Sequence, residues 1–280
     1  MAGSGGELAK RVGVALVGIP LTAFLAYLGG YWLASLVAII AAAAGWEFGR
    51  MHVRRGVPAA PWVSGWLALL YVLMAVAIPP GRFVIWAVVL TLAVLAGESI
   101  RRPAAAQPGL ATVTTAFGAV YTGLLLAFVV WLRALDPLAG TRGAAIVFFP
   151  VAITWLGDTA AYFIGKGLGR RPFAPTISPK KTWEGAIAGL VATAAGAVLW
   201  LELTDSIVGW TMSVGAAIGF GALVSAAGQA GDLFESRFKR ECGVKDSSNL
   251  IPGHGGFLDR VDSLLFAFPV TYAYLILVGV

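Results

Sequence analysis

An all-α polytopic membrane protein is the fold class this sequence predicts, on three observations. Apolar residues make up 59% of the 280-residue chain and charged residues 12%, against roughly half and a quarter in soluble domains. The apolar residues fall into nine runs near the ~20 residues that cross a bilayer core. The basic residues sit almost entirely in alternate loops. Mean hydropathy is +0.83.

Taken in order, the expected spans are 12–28, 31–48, 62–78, 83–97, 110–132, 144–164, 185–203, 208–228 and 263–279. Residues 1–11, glycine-rich and mildly basic, resemble a signal-peptide n-region. No small-residue cleavage pattern follows the first run, so that run is expected to be a retained helix. The run 83–97 is the shortest. With the N-terminus in the cytoplasm, only Arg82, Arg133 and Arg142 of the twenty Lys and Arg fall outside, the asymmetry that orients helices on insertion. About nine transmembrane helices are therefore expected, N-terminus cytoplasmic and C-terminus on the outer side. Two parts are expected: 1–143, with about five spans, and 144–280, with four spans and two polar cytoplasmic loops at 158–184 and 228–262.

Composition also excludes several chemistries. One cysteine, Cys242, permits no internal disulfide or multi-cysteine zinc site, and His52 and His254 are too few for a histidine-rich metal centre. A bound metal would sit on carboxylates, which favours a hard ion such as Mg²⁺. The net charge of +6 fits cytoplasmic-loop bias and anionic headgroups, with no need for nucleic acid.

The two polar loops hold eight of the fourteen acids and ten of the twenty basic residues. The first contains "GDTAAYFIGKGLGRR" and "SPKKTWEG". Asp158 lies inside an apolar run, where a charge costs about 3 kcal/mol or more unless paired or wet. It reads as an acid lining a water-filled cavity, or as half of a helix-packing ion pair. "GKGLGRR" offers glycine amides and cationic heads suited to phosphate, but lacks the spacing of a Walker loop. Ser178 reads as a helix N-cap with Pro179 at the first helical position. Lys180 and Lys181 would then oppose the helix dipole, which points to a bound anion.

In the second loop a helix through Asp232 would align Asp232, Glu235, Ser236 and Lys239 on one face. Asp259 and Asp262 would share a face of the last helix. The turn-rich "GVKDSSNLIPGHGG" between them can bring Asp232 to that pair. Three converging carboxylates repel unless a cation lies between them. Ion pairs with Arg237, Lys239, Arg240 and Arg260 are the competing reading. These requirements together describe a membrane-embedded enzyme of phosphoryl or nucleotidyl transfer acting on an anionic lipid.

The stretch from Ser236 to Asp262 carries Ser236, Lys239-Arg240, Lys245-Asp246, His254-Gly255-Gly256 and Asp259-Arg260-Val261-Asp262. It resembles the signature of the phosphatidate cytidylyltransferases (CDP-diacylglycerol synthases), with no departure. "GDTAAYFIGK", "SPKKTWEG" and "GDLFESRFKR" are similar to that family as well. The resemblance is dense over 155–184 and 228–263, and generic over the first ~140 residues.

The resemblance implies conversion of CTP and phosphatidate to CDP-diacylglycerol and pyrophosphate in phospholipid biosynthesis, with Mg²⁺; whether a monovalent cation joins it is left open by the sequence. It implies a multi-pass protein of the inner (plasma) membrane, a homodimer, with its site facing the cytoplasm. Carried over, Asp232, Asp259 and Asp262 would bind metal, with Asp246 a further acid. Lys239, Arg240, Lys245, His254, Gly255, Gly256 and Arg260 would meet the CTP phosphates. Asp158, Lys166, Ser178, Lys180 and Lys181 would form the lipid-phosphate or second phosphate site. His254 has two open roles, as proton donor to pyrophosphate and as a loop-fixing donor. A cytidylyltransferase or CTP-dependent kinase of isoprenoid lipids, and an ion-coupled transporter, are the alternatives.

Overall fold

The computed structural model describes the backbone of residues 4–278 and the side chains of 12–278. Among these residues the helices are α1 (Ser4–Leu28), α2 (Gly30–Arg54), α3 (Pro61–Ala77), α4 (Pro80–Arg101), α5 (Pro108–Ala134), α6 (Thr141–Leu168), α7 (Trp183–Val208), α8 (Val214–Glu241) and α9 (Leu258–Val278). Seven of them, α2 and α4 to α9, are long and apolar enough to cross a membrane. The apolar part of α1 (Val12–Leu28) and α3 are shorter. Large side chains such as Leu92 and Leu277, 64% and 83% exposed, make this an apolar surface suited to lipid rather than water.

Local chemistry explains where the helices begin and end. Pro61, Pro80 and Pro108 open α3, α4 and α5, where a missing N–H costs nothing. The fourth run, expected over 83–97, grows to 22 residues because Pro80 presets its start and Glu98 pairs with Arg102 at 2.9 Å near its end. The run expected from Val208 instead begins at Val214. Helix α7 continues through Val208 and stops at Gly209, whose φ of 65° suits glycine. Helix α8 runs on to Glu241, beyond its apolar part, carried by contacts four residues apart. Ser236 Oγ donates to Asp232 Oδ1 at 3.4 Å, and Lys239 pairs with Glu235.

One local expectation is corrected. Ser178 does not cap a helix, and Pro179 is not its first residue. Ser178–Thr182 forms strand β2, antiparallel to β1 (Pro172–Ala174). Helix α7 starts at Trp183, capped by Thr182, whose hydroxyl accepts from Gly185 N at 3.2 Å. Threonine favours both a strand end and an N-cap, so the start moves four residues on. Phe173 meets Trp183 edge-on at 4.6 Å, and Trp183 N donates to Arg171 O at 2.9 Å.

The chain divides into two compact units, Met1–Trp131 with Glu241–Val261, and Leu132–Arg240 with Asp262–Val280. Unlike a single cut near residue 143, this grouping places the segment 241–261 with the N-terminal helices. In the first unit α2 and α3 lie closely side by side. A Cβ on Gly65 would stand 2.7 Å from Ala42 O, so only glycine permits that approach. Phe48, Tyr71 and Phe83 are fully buried there.

In the second unit α6 and α7 pair along their length. A Cβ on Gly185 would meet Ala161 O at 2.7 Å. Phe149 anchors the aromatic core, 4.7 Å from Phe220 and stacked on Trp200 at 6.0 Å. Pro150 lies inside α6 and Pro269 inside α9, as membrane helices tolerate better than soluble ones.

Candidate active site

The second unit contains a cavity of about 850 Å³, within the range of small-molecule sites. Its wall takes Asp158, Tyr162 and Lys166 from α6, Lys180 and Lys181 from β2, Gln229 and Asp232 from α8, and Asp262 and Ser263 from α9. The hairpin delivers Lys180 and Lys181, and the helices deliver Lys166 and the acids. Lys181 pairs with Asp232, and Lys166 lies 5.7 Å from the centre of the Tyr162 ring. Gln229 Nε2 donates to Ala186 O and Ser225 Oγ, both at 3.1 Å.

Asp158, Asp232 and Asp262 are near enough to repel one another, while Lys181 and Lys239 offset part of that charge. Among the described residues no three His, Cys, Asp or Glu side chains are grouped tightly enough to hold one ion. Mg²⁺ needs less, one or two carboxylates completed by water and phosphate oxygens. Asp232 and Asp262 fit that requirement by chemistry.

Glu235 and Lys239 form an ion pair on α8, with side chains 0% and 10% exposed. Arg240 Nε donates to Ile177 O at 3.3 Å, tying α8 to the hairpin turn. Ser178 is paired across the hairpin with Ala174 and is not on the cavity wall. Glu184 also braces this region, accepting from the Arg170 and Arg171 amides at 3.1 and 3.3 Å.

The segment 245–260 belongs to the first unit. Lys245, Asp246 and Arg260 are exposed. His254 N donates to Ile251 O, and Ile251 N to Gly255 O, both at 2.9 Å. The His254 ring lies with Nδ1 3.4 Å from Pro252 O. Asp259 Oδ2 accepts from Ser247 N at 2.9 Å, Ser247 Oγ at 2.9 Å and Gly256 N at 2.8 Å. That oxygen is committed to the loop. The expected trio of Asp232, Asp259 and Asp262 therefore reads differently in three dimensions. Asp158 joins Asp232 and Asp262 on the cavity wall, and Asp259 organises its own loop.

Sequence reasoning missed Glu47, together with its partners Ser247 and Ser248, and the cavity residues Gln229 and Tyr162. A signal for Glu47 existed. "GWEFGR" puts an acid in an apolar run, as "GDTAA" does for Asp158, and such an acid is a candidate by the same rule.

Apolar helices long enough to cross a membrane define a multi-pass membrane protein, and its second unit holds a mixed-charge cavity of lysines and carboxylates. The chain belongs to the cytidylyltransferase family, whose model matches residues 9–278. It is 42% identical over 159 residues to a phosphatidate cytidylyltransferase of Brucella suis, covering 57% of this chain and 56% of the relative. It is 41% identical over 128 residues to one of Haemophilus influenzae, covering 46% and 44%. It is 42% identical over 136 residues to one of Staphylococcus aureus, covering 49% and 51%. The chain spans about half the length of the curated relatives it matches.

Proposed function

We propose that this protein is a phosphatidate cytidylyltransferase, transferring the cytidylyl group of CTP to phosphatidate and releasing pyrophosphate. The observation that carries this reading is the cavity wall, where three lysines suited to lipid phosphate face acids suited to a nucleotide's metal. Family membership narrows the nucleotide to CTP.

Lys166, Lys180 and Lys181 hold the phosphatidate headgroup. Their charges orient the phosphate and offset its repulsion from the triphosphate. Lys239 supplies positive charge beside Asp262. Lys245, Arg240, Arg260, His254 and the Gly255-Gly256 turn are assigned to the CTP phosphates. An oxygen of the lipid phosphate attacks the α-phosphorus of CTP. The new P–O bond forms as the bond to the β-phosphate oxygen breaks, and pyrophosphate leaves with that electron pair. The lipid phosphate already carries the needed negative charge near neutral pH, so no strong base is required. Mg²⁺, held by Asp232 and Asp262 with Asp158 adjoining, would neutralise triphosphate charge when bound.

The same reading puts about nine helices across the inner membrane, N-terminus inside, with the cavity open to the cytoplasm and the protein a homodimer. Purified protein in nanodiscs, given Mg²⁺, phosphatidate and in turn CTP, ATP, GTP and UTP, tests it. Pyrophosphate release with CTP alone and a CDP-lipid by mass are expected. CDP with a newly phosphorylated alcohol, or no pyrophosphate with CTP, overturns it.

A further inference from the structure

Glu47 lies in α2, far in sequence from the residues discussed above, and its side chain is fully buried. Oε1 accepts from Ser248 Oγ at 2.6 Å and Phe257 N at 3.0 Å, and Oε2 accepts from Ser247 Oγ at 3.0 Å and Leu258 N at 2.8 Å. A carboxylate offers about four acceptor positions, and four donors from the 247–258 segment meet them. Two of those donors, the amides of Phe257 and Leu258, stand where α9 begins. An N-terminal helix turn leaves its first amides without partners inside the helix. Here a carboxylate from another helix supplies them, at the end where the helix dipole favours negative charge.

The surrounding sequence is fitted to this carboxylate. A Cβ on Gly256 would stand 2.6 Å from both Glu47 oxygens. Gly255, with φ of 82°, serves the turn, whereas Gly256 leaves space for the Ser247 hydroxyl and the Glu47 carboxylate. Ser247 Oγ lies within reach of both Glu47 Oε2 and Asp259 Oδ2, at 3.0 and 2.9 Å. Its single proton serves one at a time, so the hydroxyl links the two acids. Glu47 thus ends a chain of contacts through Ser247 to Asp259 and the Gly256 amide.

We propose that Glu47 is a positioning residue for nucleotide binding: it fixes the 245–257 loop so that Lys245, His254 and the Gly255 backbone are preorganised for the CTP phosphates. The proposal rests on the cytidylyltransferase reading above. Its physical content is that the loop's ordering cost is met before the nucleotide arrives. Without Glu47, binding would have to meet it.

Glu47→Gln is the sharp variant. The amide keeps the shape, but each Glu47 oxygen faces one backbone N–H. In either orientation the new NH₂ therefore opposes an amide donor. Loss of one buried acceptor predicts a KM for CTP raised about tenfold, with KM for phosphatidate unchanged within about twofold. Glu47→Asp, which keeps the carboxylate, is expected to recover part of that loss. Hydrogen exchange on the full-length protein without substrate should show faster exchange at Ser247, Gly256, Phe257 and Leu258, with α6 to α8 unchanged.

A CTP KM and loop exchange both at wild-type values overturn the proposal. So does an equal rise in both KM values, which marks a purely structural role. If Glu47→Gln does not fold, Ser248→Ala decides. It removes one of the four donors, and it should raise KM for CTP alone by a few-fold; an unchanged KM overturns the proposal. Wild-type protein that releases no pyrophosphate with CTP would sink the enzyme reading, while the exchange result would still judge the loop anchor.

Discussion

Two acidic centres in this protein use the same chemistry in opposite ways. Around Glu47 and Asp259, amides and serine hydroxyls, with the Ser247 proton shared between the two acids, fill the carboxylate oxygens that face the loop. Around Asp158, Asp232 and Asp262, the carboxylates face a cavity and one another, with Lys181 the ion-pair partner of Asp232. Satisfied acids hold backbone in place. Acids left facing a cavity hold electrostatic potential for a ligand. The difference is set by donors, since both centres are built from aspartate and glutamate.

The largest effect that would sharpen this contrast is at the cavity. Asp262→Asn should lower kcat by about 100-fold or more while exchange in the 247–258 loop stays at its wild-type level. Chelation of Mg²⁺ by EDTA should stop turnover with the same silence in the loop. Full activity in Asp262→Asn would move the ion elsewhere.

Gly256→Ala comes next. Its methyl group takes space held by the Ser247 hydroxyl and the Glu47 carboxylate, so faster loop exchange and a CTP defect at least as large as that of Glu47→Gln are expected. Asp259→Asn should cost less, about tenfold, because asparagine keeps one oxygen for the loop donors. Its mark is faster exchange at Ser247 and Gly256. A variant as inert as Asp262→Asn, with undisturbed exchange, would return Asp259 to the ion and erase the contrast. Lys181→Ala frees Asp232 and should raise KM for phosphatidate by several-fold, leaving KM for CTP nearly constant.

The smallest effect is at Cys242, at the entrance to the loop. Burial, reinforced by Glu241 and opposed by Arg55, raises its thiol above the ordinary value. A raised thiol has less thiolate at a given pH, so maleimide labelling near about pH 8 should be slower than for a free thiol and should quicken as pH rises. Glu47→Gln should speed it further by loosening the loop. Labelling indifferent to Glu47 would argue that the anchor acts only at the far end of the segment.

Much of the helical framework was legible in the run lengths alone. The hairpin was not. Ser178-Pro179 satisfies the rules for a helix start, but Thr182 satisfies them too, and Phe173 against Trp183 favours the later start. At the cavity, Asp158 and the lysines were legible because charge beside apolar sequence is costly and needs a reason. Glu47 carried the same signal, but nothing near it in sequence supplies its partners, which stand two hundred residues away.

By itself the sequence determined the membrane class, the family and the polar residues that carry its chemistry, because hydropathy and motif spacing are local properties. Only the tertiary structure decided what each acid does. A carboxylate's role depends on which donors reach it, and here those donors come from other segments: serines and amides from 247–258 for Glu47, a lysine from β2 for Asp232. Asp259 and Asp262, one helical turn apart in one motif, differ accordingly: Asp259 takes its donors from Ser247 and Gly256, and Asp262 stands on the cavity wall.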